Sequence, residues 1–264
     1  MTTTVPPIEE LIAPSTWRTV DLVSDLHLQA EDPDTVDAFT QYLETTPADA
    51  VFLLGDVFEV WVGDDSLQEP GSFEAACCAL LQRTASRKPL YFMHGNRDFL
   101  VGAGFTAACG IPVLRDPTVL TFAGQRWLLS HGDALCLDDV EYQKFRAVAR
   151  NPQWQAQLLA RSLEERRAQG RSARAESDAR KQSGTAFYGD VDTPAALQWL
   201  EAAQAHALVH GHTHLPADHV LGQASGRRLS RHVLTDWDLS AHPPRAGALR
   251  LTATGLERIA LVPR

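Results

Sequence analysis

Seven side chains that could bind metal stand at the ends of short apolar runs in this 264-residue sequence. Asp25 and His27 follow the run Thr19 to Ser24, Asp56 follows Ala50 to Leu54, and Asn96 follows Leu90 to Met93. His131 follows Trp127 to Ser130, and His212 and His214 follow Ala207 to Val209. Together they offer three oxygen donors, four imidazoles and no thiolate. That set suffices for two metal ions with positions left open for a substrate. Mixed nitrogen and oxygen donors suit Mn, Fe or Zn better than Ca or Mg, which favour all-oxygen shells. Two such ions about 4 Å apart clamp a phosphoryl group and acidify a bound water, so the chemistry implied is hydrolysis at phosphorus. An Asp-x-His pair or a Gly-Asp turn is common by itself; the weight lies in all of them occurring in order. His94, His206, His210, His219, His232 and His242 are taken as structural, with His94 and His210 as partners that orient the ligands.

Such residues converge only if the chain brings the ends of its apolar runs together. Runs of four to six apolar residues are too short for buried helices and suit strands covered on both faces. Helix-compatible stretches at Asp34 to Glu44 and Ser72 to Ala85 separate some of them, which points to an α/β core. Ligands bind where the C-terminal strand ends open into a crevice, and all the polar clusters sit at such ends. A strand turns residues two apart to one side, so Asp25 with His27, and His212 with His214, form natural chelates if the strand persists. Val119 to Phe122 and Arg126 to Ser130 predict one hairpin, and Ala248 to Thr252 with Ile259 to Val262 around Gly255 a second. The expected architecture is two mixed sheets facing each other with helices outside, an α-β-β-α sandwich forming one domain over residues 1–264.

Residues 138–190 lack a strand signal and predict a helical insertion. Trp154, Leu158, Leu159 and Leu163 fall along one stripe there, which either packs on the core or meets an apolar ligand. The formal charge of -9 argues against general nucleic-acid affinity, but it is unevenly spread. Between Lys144 and Lys181 ten basic residues face four acidic ones, so this segment carries +6 and the remainder -15. The basic residues lack the interleaved aromatics of a nucleic-acid groove. No apolar run reaches the roughly 18 residues of a membrane span, and the start of the chain lacks a signal-peptide pattern. Cys77 and Cys78 are adjacent, while Cys109 and Cys136 stand alone, which fits a reducing, cytoplasmic setting rather than a disulfide framework.

Asp25-x-His27, Gly55-Asp56, Gly95-Asn96, His131-Gly-Asp133 and Gly211-His212-Thr-His214 together resemble the signature of calcineurin-like metallophosphoesterases. The resemblance implies one metal on Asp25, His27, Asp56 and His214, and another on Asp56, Asn96, His131 and His212, with Asp56 as the bridge. Finer features resemble one branch, the UDP-2,3-diacylglucosamine diphosphatases of lipid A synthesis. They are Gly55-Asp-Val-Phe-Glu59, Trp61-Val-Gly-Asp-Asp65, His94-Gly-Asn-Arg-Asp-Phe-Leu100, His131 to Asp139, and Tyr142-Gln-x-Phe-Arg146.

That branch implies two Mn²⁺ ions and hydrolysis of the pyrophosphate of UDP-2,3-diacylglucosamine to UMP and 2,3-diacylglucosamine 1-phosphate. The attacking group is a hydroxide bridging the two metals, and the setting is peripheral, at the cytoplasmic face of the inner membrane. A relative acting on a soluble nucleotide is the alternative. Catalytic roles then fall on Asp56, Asn96, Arg97 and His131, and substrate contacts on Asn96, Arg97, Asp139, Ser177, Lys181 and His212. Many relatives carry His where this chain has Arg97. A phosphate leaving group with a second pKa of about 6 needs little proton donation, so a guanidinium that pairs two phosphate oxygens is the more useful group there. Where the resembling enzymes carry a further Lys in the insertion, this chain has Gly184, and its basic helical cap is expected to meet phosphate or an anionic membrane surface.

Overall fold

The computed structural model describes residues 4–182, 189–224 and 226–262, with the side chains of 176–178 and 180–182 excepted. Two six-stranded mixed sheets form its centre. The first runs in the order β12 (Gly255–Ala260), β11 (Gly247–Thr252), β2 (Thr19–Val23), β3 (Ala50–Leu54), β4 (Leu90–Met93) and β5 (Val113–Leu114). Here β2 to β5 are parallel and β11 and β12 close the edge as an antiparallel hairpin. The second runs β1 (Glu9–Ile12), β6 (Thr118–Phe122), β7 (Gln125–Leu129), β8 (Ala207–His210), β10 (Arg227–Val233) and β9 (Asp218–Ala224).

Alternation along the strands sorts the side chains into layers. Val20, Leu22, Phe52 and Leu54 of the first sheet meet Leu120, Trp127, Leu129 and Val209 of the second in one buried cluster. Their neighbours Val23, Val51 and Leu53 point the other way, into a cluster with Phe39, Tyr42 and Leu43 of α1 (Pro33–Thr45) and Cys77, Cys78 and Leu81 of α2 (Phe73–Ala85). A short α3 (Ala103–Cys109) adds Phe105 to that layer. On the far side, Val119, Leu128 and Leu208 pack on Trp199 and Leu200 of α7 (Thr193–Ala203). The four-layer sandwich expected from the sequence is therefore present. All four cysteines are buried free thiols.

The terminal hairpin is tighter than the sequence predicts. Its second strand is β12, beginning at Gly255, because Thr252 pairs directly with Gly255 across a two-residue turn. Strands β1, β9 and β10 escape a reading based on apolar runs, since all three mix polar with apolar residues and are covered only in part.

Residues 138–190 contain no strand among the described residues; they form α4 (Val140–Ala149), α5 (Pro152–Leu159) and α6 (Leu163–Gln182). Asp139 caps α4, Asn151 caps α5, and Pro152 opens α5, where its missing N–H costs nothing. The apolar stripe divides within α5. Leu158 is buried in the core and Trp154 packs on Phe99 with ring centroids 6.2 Å apart, whereas Leu159 is 41% exposed. The basic face is also partly consumed within the molecule. Arg166 is 3% exposed and grips Asp65 and the Val62 carbonyl, Arg167 pairs with Glu69 at 2.7 Å, and Arg146 pairs with Asp133 at 2.9 Å. No helix of the described residues is long and apolar enough to cross a membrane.

Candidate metal centre

Loops leaving β2, β3, β4, β7 and β8 meet at one edge of the sandwich. The first two run side by side: the Asp25 N–H donates to the Gly55 carbonyl at 3.0 Å, and the His27 N–H to the Asp56 carbonyl at 3.0 Å. Strand β2 nevertheless ends at Val23 and β8 at His210, so strand conformation does not carry the chelating pairs. Left-handed backbone does, with φ of 53° at Asp25, 49° at His27, 52° at Asp56, 67° at His212 and 53° at His214. Each such residue is disfavoured for an L-amino acid, and their concentration at one place marks a functional site. Buried Leu26 and Leu28 face the core, so Asp25 and His27 still turn to a common side.

All seven sequence-nominated ligands come together. His27 Nε2 lies 3.3 Å from His214 Nε2, which is 3.4 Å from Asp25 Oδ1. Donor atoms of Asp25, His27 and His214 lie within 4.8 Å of one another, as do those of Asp25, Asp56 and His131. Asn96 Oδ1 lies 3.0 Å from His131 Nε2 and 2.8 Å from His212 Nδ1. His131 Nε2 is 3.7 Å from Asp56 Oδ1. Asp25, Asp56 and His131 are buried.

The cluster fits cations. Buried carboxylates that converge on imidazole nitrogens are costly without a positive charge between them. His131 Nδ1 is held 2.9 Å from the Leu54 carbonyl, which fixes that nitrogen as the donor and aims Nε2 inward. Burial acts to lower the His131 pKa, but Asp56, Asp25 and Asp133 raise it to about 9, which reflects the negative charge gathered around this ring. Burial holds His27 and His212 down to about 4, so both are neutral lone-pair donors at pH 7. Burial also acts to raise Asp25, and the hydrogen bond and charge of His214, followed by the charge of His131, outweigh it and keep the carboxylate ionised.

The residues that orient this set differ in part from the sequence expectation. His94 bonds the Val101 carbonyl at 2.7 Å and His210 the Gly211 carbonyl at 2.8 Å, and neither ring is bonded to a ligand. The groups facing the outer ring nitrogens are the Leu54 carbonyl, bonded to His131, Glu59 with Oε2 3.1 Å from His27 Nδ1, and Asp236 with Oδ2 3.7 Å from His214 Nδ1. Arg97 does not pair with Asp98. Asp98 is fully buried and accepts the Val57 and Gly95 N–H groups at 2.8 and 2.7 Å, pinning the β3 and β4 loops together. Its pKa is raised to about 6 by burial and by Asp56. Arg97 donates its backbone N–H to Asp56 Oδ1 at 2.8 Å and extends its guanidinium to within 3.8 Å of Glu59.

Asp133 anchors α4, accepting the Tyr142 hydroxyl at 2.6 Å and Arg146 Nε at 2.9 Å, and this sets the Tyr142 ring 5.3 Å from that of His212. Tyr142 and Glu59 stood in the sequence within the resembling motifs, without a role of their own. Asp139 uses one carboxylate oxygen to cap α4 through the Tyr142 N–H at 3.0 Å. The side chains of Ser177 and Lys181, and Gly184 altogether, lie outside the described residues.

Comparison with known proteins agrees with this geometry. The family profile described as calcineurin-like phosphoesterase matches residues 18–216. A UDP-2,3-diacylglucosamine hydrolase of Bordetella pertussis is 44% identical over 244 residues, covering 91% of this chain and 94% of its own. The enzyme of that name from Chromobacterium violaceum is 46% identical over 92% of this chain and 98% of its own, and that of Chromohalobacter salexigens 47% identical over 82% and 87%. A cluster of buried carboxylates and imidazoles at the strand ends of a double sheet, matched along most of its length by that profile, places the chain in the calcineurin-like phosphoesterase family.

Proposed function

We propose that this chain hydrolyses the pyrophosphate bond of UDP-2,3-diacylglucosamine, releasing UMP and 2,3-diacylglucosamine 1-phosphate. The observation that carries the reading is the pair of donor groups that share Asp25, one with His27 and His214 and one with Asp56 and His131, in a chain 44–47% identical to relatives bearing that activity in their names. Asp25, His27, Asp56 and His214 would hold one Mn²⁺, and Asp56, Asn96, His131 and His212 the other. Two such ions supply positive charge to the phosphoryl oxygens and a water acidic enough to react near neutral pH.

The chain's own groups then do the following. Asp56 Oδ1 accepts the Arg97 N–H, which holds the carboxylate beside His131. The Asn96 Oδ1 faces the two imidazoles, which leaves its amide N–H₂ to donate to a phosphoryl oxygen. Arg97 presents a fork of donors to the oxygens on which charge builds. The water oxygen bonds to the α-phosphorus as the bond from that phosphorus to the bridging oxygen breaks, and the electron pair leaves on the lipid phosphate. A phosphate with a second pKa of about 6 needs no acid to depart. We read α4 to α6 as a cap inserted within a single domain. Asp139, Ser177 and Lys181 are its candidate contacts to the substrate, and His212 of the metal centre is a further one. Exposed Val140, Phe145 and Val148 of α4, with Lys144 beside them, form the face offered to the cytoplasmic surface of the membrane.

The test is UMP release from UDP-2,3-diacylglucosamine in detergent, on protein stripped by chelator and on protein resupplied with Mn²⁺, with UDP-N-acetylglucosamine as a chain-free control. Turnover that requires metal and the diacyl substrate is expected. Equal turnover of the control would move the assignment to soluble nucleotides, and turnover that survives chelation would remove the metal centre from the mechanism.

A further inference from the structure

Glu59 stands where three parts of the molecule meet. It follows Asp56 by three residues, and its backbone N–H continues the ladder between the β2 and β3 loops by donating to the Leu28 carbonyl at 3.1 Å. Its side chain is buried, which a carboxylate tolerates only with partners. One oxygen, Oε2, lies 3.1 Å from His27 Nδ1. The other, Oε1, accepts from the Arg174 guanidinium of α6 and lies 3.8 Å from Arg97 Nη1. A single buried carboxylate thus touches His27 of the candidate metal centre, the Arg97 guanidinium proposed to meet the phosphates, and helix α6 through Arg174.

The His27 contact is close but not aligned. Although Glu59 is within hydrogen-bond distance, Nδ1 is a buried nitrogen with no partner in bonding geometry, as is Arg97 Nε. Bonds of this kind commonly align only when the site fills. A cation drawing His27 Nε2 toward Asp25 and His214 fixes the ring, and the proton on Nδ1 then has Glu59 as its acceptor. Conversely, Arg174 restrains the carboxylate in the position where it can accept that proton. Helix α6 is docked at a second point by Arg166 on Asp65, eight residues before Arg174 and so about 12 Å away along the helix. Releasing Arg174 therefore leaves α6 attached at one end while freeing Glu59.

We propose, on the basis that His27 is a metal ligand, that Glu59 is a positioning residue through which docking of α6 and metal binding stabilise each other. Thermodynamic linkage makes the effect reciprocal: what tightens α6 tightens the metal, and the metal protects α6 by the same factor. Helix α6 is thereby most firmly docked when the centre is loaded.

The experiment uses the full chain stripped of metal, as wild type, Glu59→Gln and Arg174→Ala, and reads two quantities other than turnover. The first is Mn²⁺ affinity by calorimetric titration; the second is the rate of proteolytic cleavage within α6, with and without Mn²⁺. Glu59→Gln keeps the size of the side chain but offers its neighbours one acceptor atom instead of two, and is expected to weaken Mn²⁺ binding about 10–100-fold. Arg174→Ala, which touches no metal ligand, is expected to weaken it by a smaller factor and to speed cleavage of α6. Mn²⁺ should slow cleavage in wild type and lose that effect in both variants. A folded Glu59→Gln protein with wild-type Mn²⁺ affinity overturns the proposal, as does an Arg174→Ala protein whose α6 is freed while its affinity is unchanged. Should Glu59→Gln fail to fold, Arg174→Ala decides alone. His27→Ala separates this outcome from failure of the metal reading, since wild-type Mn²⁺ affinity in that variant would remove His27 from the ligands.

Discussion

Gly95 is predicted to be irreplaceable for reasons of space alone. Its backbone is not among the left-handed glycines, so alanine suits its conformation. A methyl group there, however, would lie 2.1 Å from Asp56 Oδ1 and 2.3 Å from the Asp56 nitrogen, where ordinary contact begins at 3.4 Å. The carboxylate could rotate away, but the nitrogen is main chain, so the two loops must separate by more than an ångström. Asp98 opposes that movement, because it clamps the Gly95 and Val57 N–H groups to one carboxylate. Either the Asp98 bonds are lost or Asn96 and Arg97 are carried out of place. Metal ligands tolerate displacements of about 0.2 Å, and a misplacement of about 1 Å near reacting groups costs on the order of 100-fold in rate. Overpacking adds about 1–3 kcal/mol of lost stability. Gly95→Ala should therefore melt several degrees lower, bind Mn²⁺ more weakly, and release UMP at about one hundredth of the wild-type rate at saturating substrate. Thermal denaturation, metal titration and UMP release measure the three effects. A variant with activity within a few-fold of wild type at ordinary Mn²⁺ concentrations would refute the reasoning, since it would show that the loops can part without disturbing the ligands.

Further outcomes follow from individual contacts. Asp98→Asn places an amide donor against one of two buried N–H groups and should lose about 1–3 kcal/mol in denaturant unfolding; no change in the midpoint would show the loops are held by other means. Arg97→Lys keeps the charge but loses the fork, and should lower kcat about 10–100-fold with little change in stability, whereas full activity would make Arg97 a simple counter-charge. His210 is buried, and burial holds its pKa down to about 3 against an ordinary 6.5, outweighing the Gly211 carbonyl bond. Below pH 6.5 the unfolded chain takes up a proton that the fold refuses, so this contribution to stability is complete above pH 6.5 and is lost as pH falls toward 3. Melting curves of wild type and His210→Asn across that range should converge as the pH drops; a constant difference would assign His210 a pH-independent packing role.

Much of the centre was determined by the sequence alone. The candidate ligands are coded as residue types at the ends of apolar runs, and a parallel sheet has no choice but to bring those ends to one edge. The layers follow in the same way, because side chains alternate along strands and each face must find cover. For that reason Asp25, His27, Asp56, Asn96, His131, His212 and His214 could be nominated together, and all of them converge.

What the sequence could not decide depends on contacts between residues far apart in the chain and on backbone angles that periodicity does not encode. Asp25, His27, His212 and His214 reach the cluster from left-handed turns beyond the strand ends, although alternation in a strand predicts the same common side for the wrong reason. The basic residues of 144–181 form a uniform run in sequence, yet folding divides them: Arg146, Arg166, Arg167 and Arg174 meet Asp133, Asp65, Glu69 and Glu59 from other segments. Charge counted along a chain says nothing about which charges are cancelled across it. Glu59 shows the same limit, since its part in the site exists only where Leu28, His27, Arg97 and a helix 115 residues away come within reach of one carboxylate.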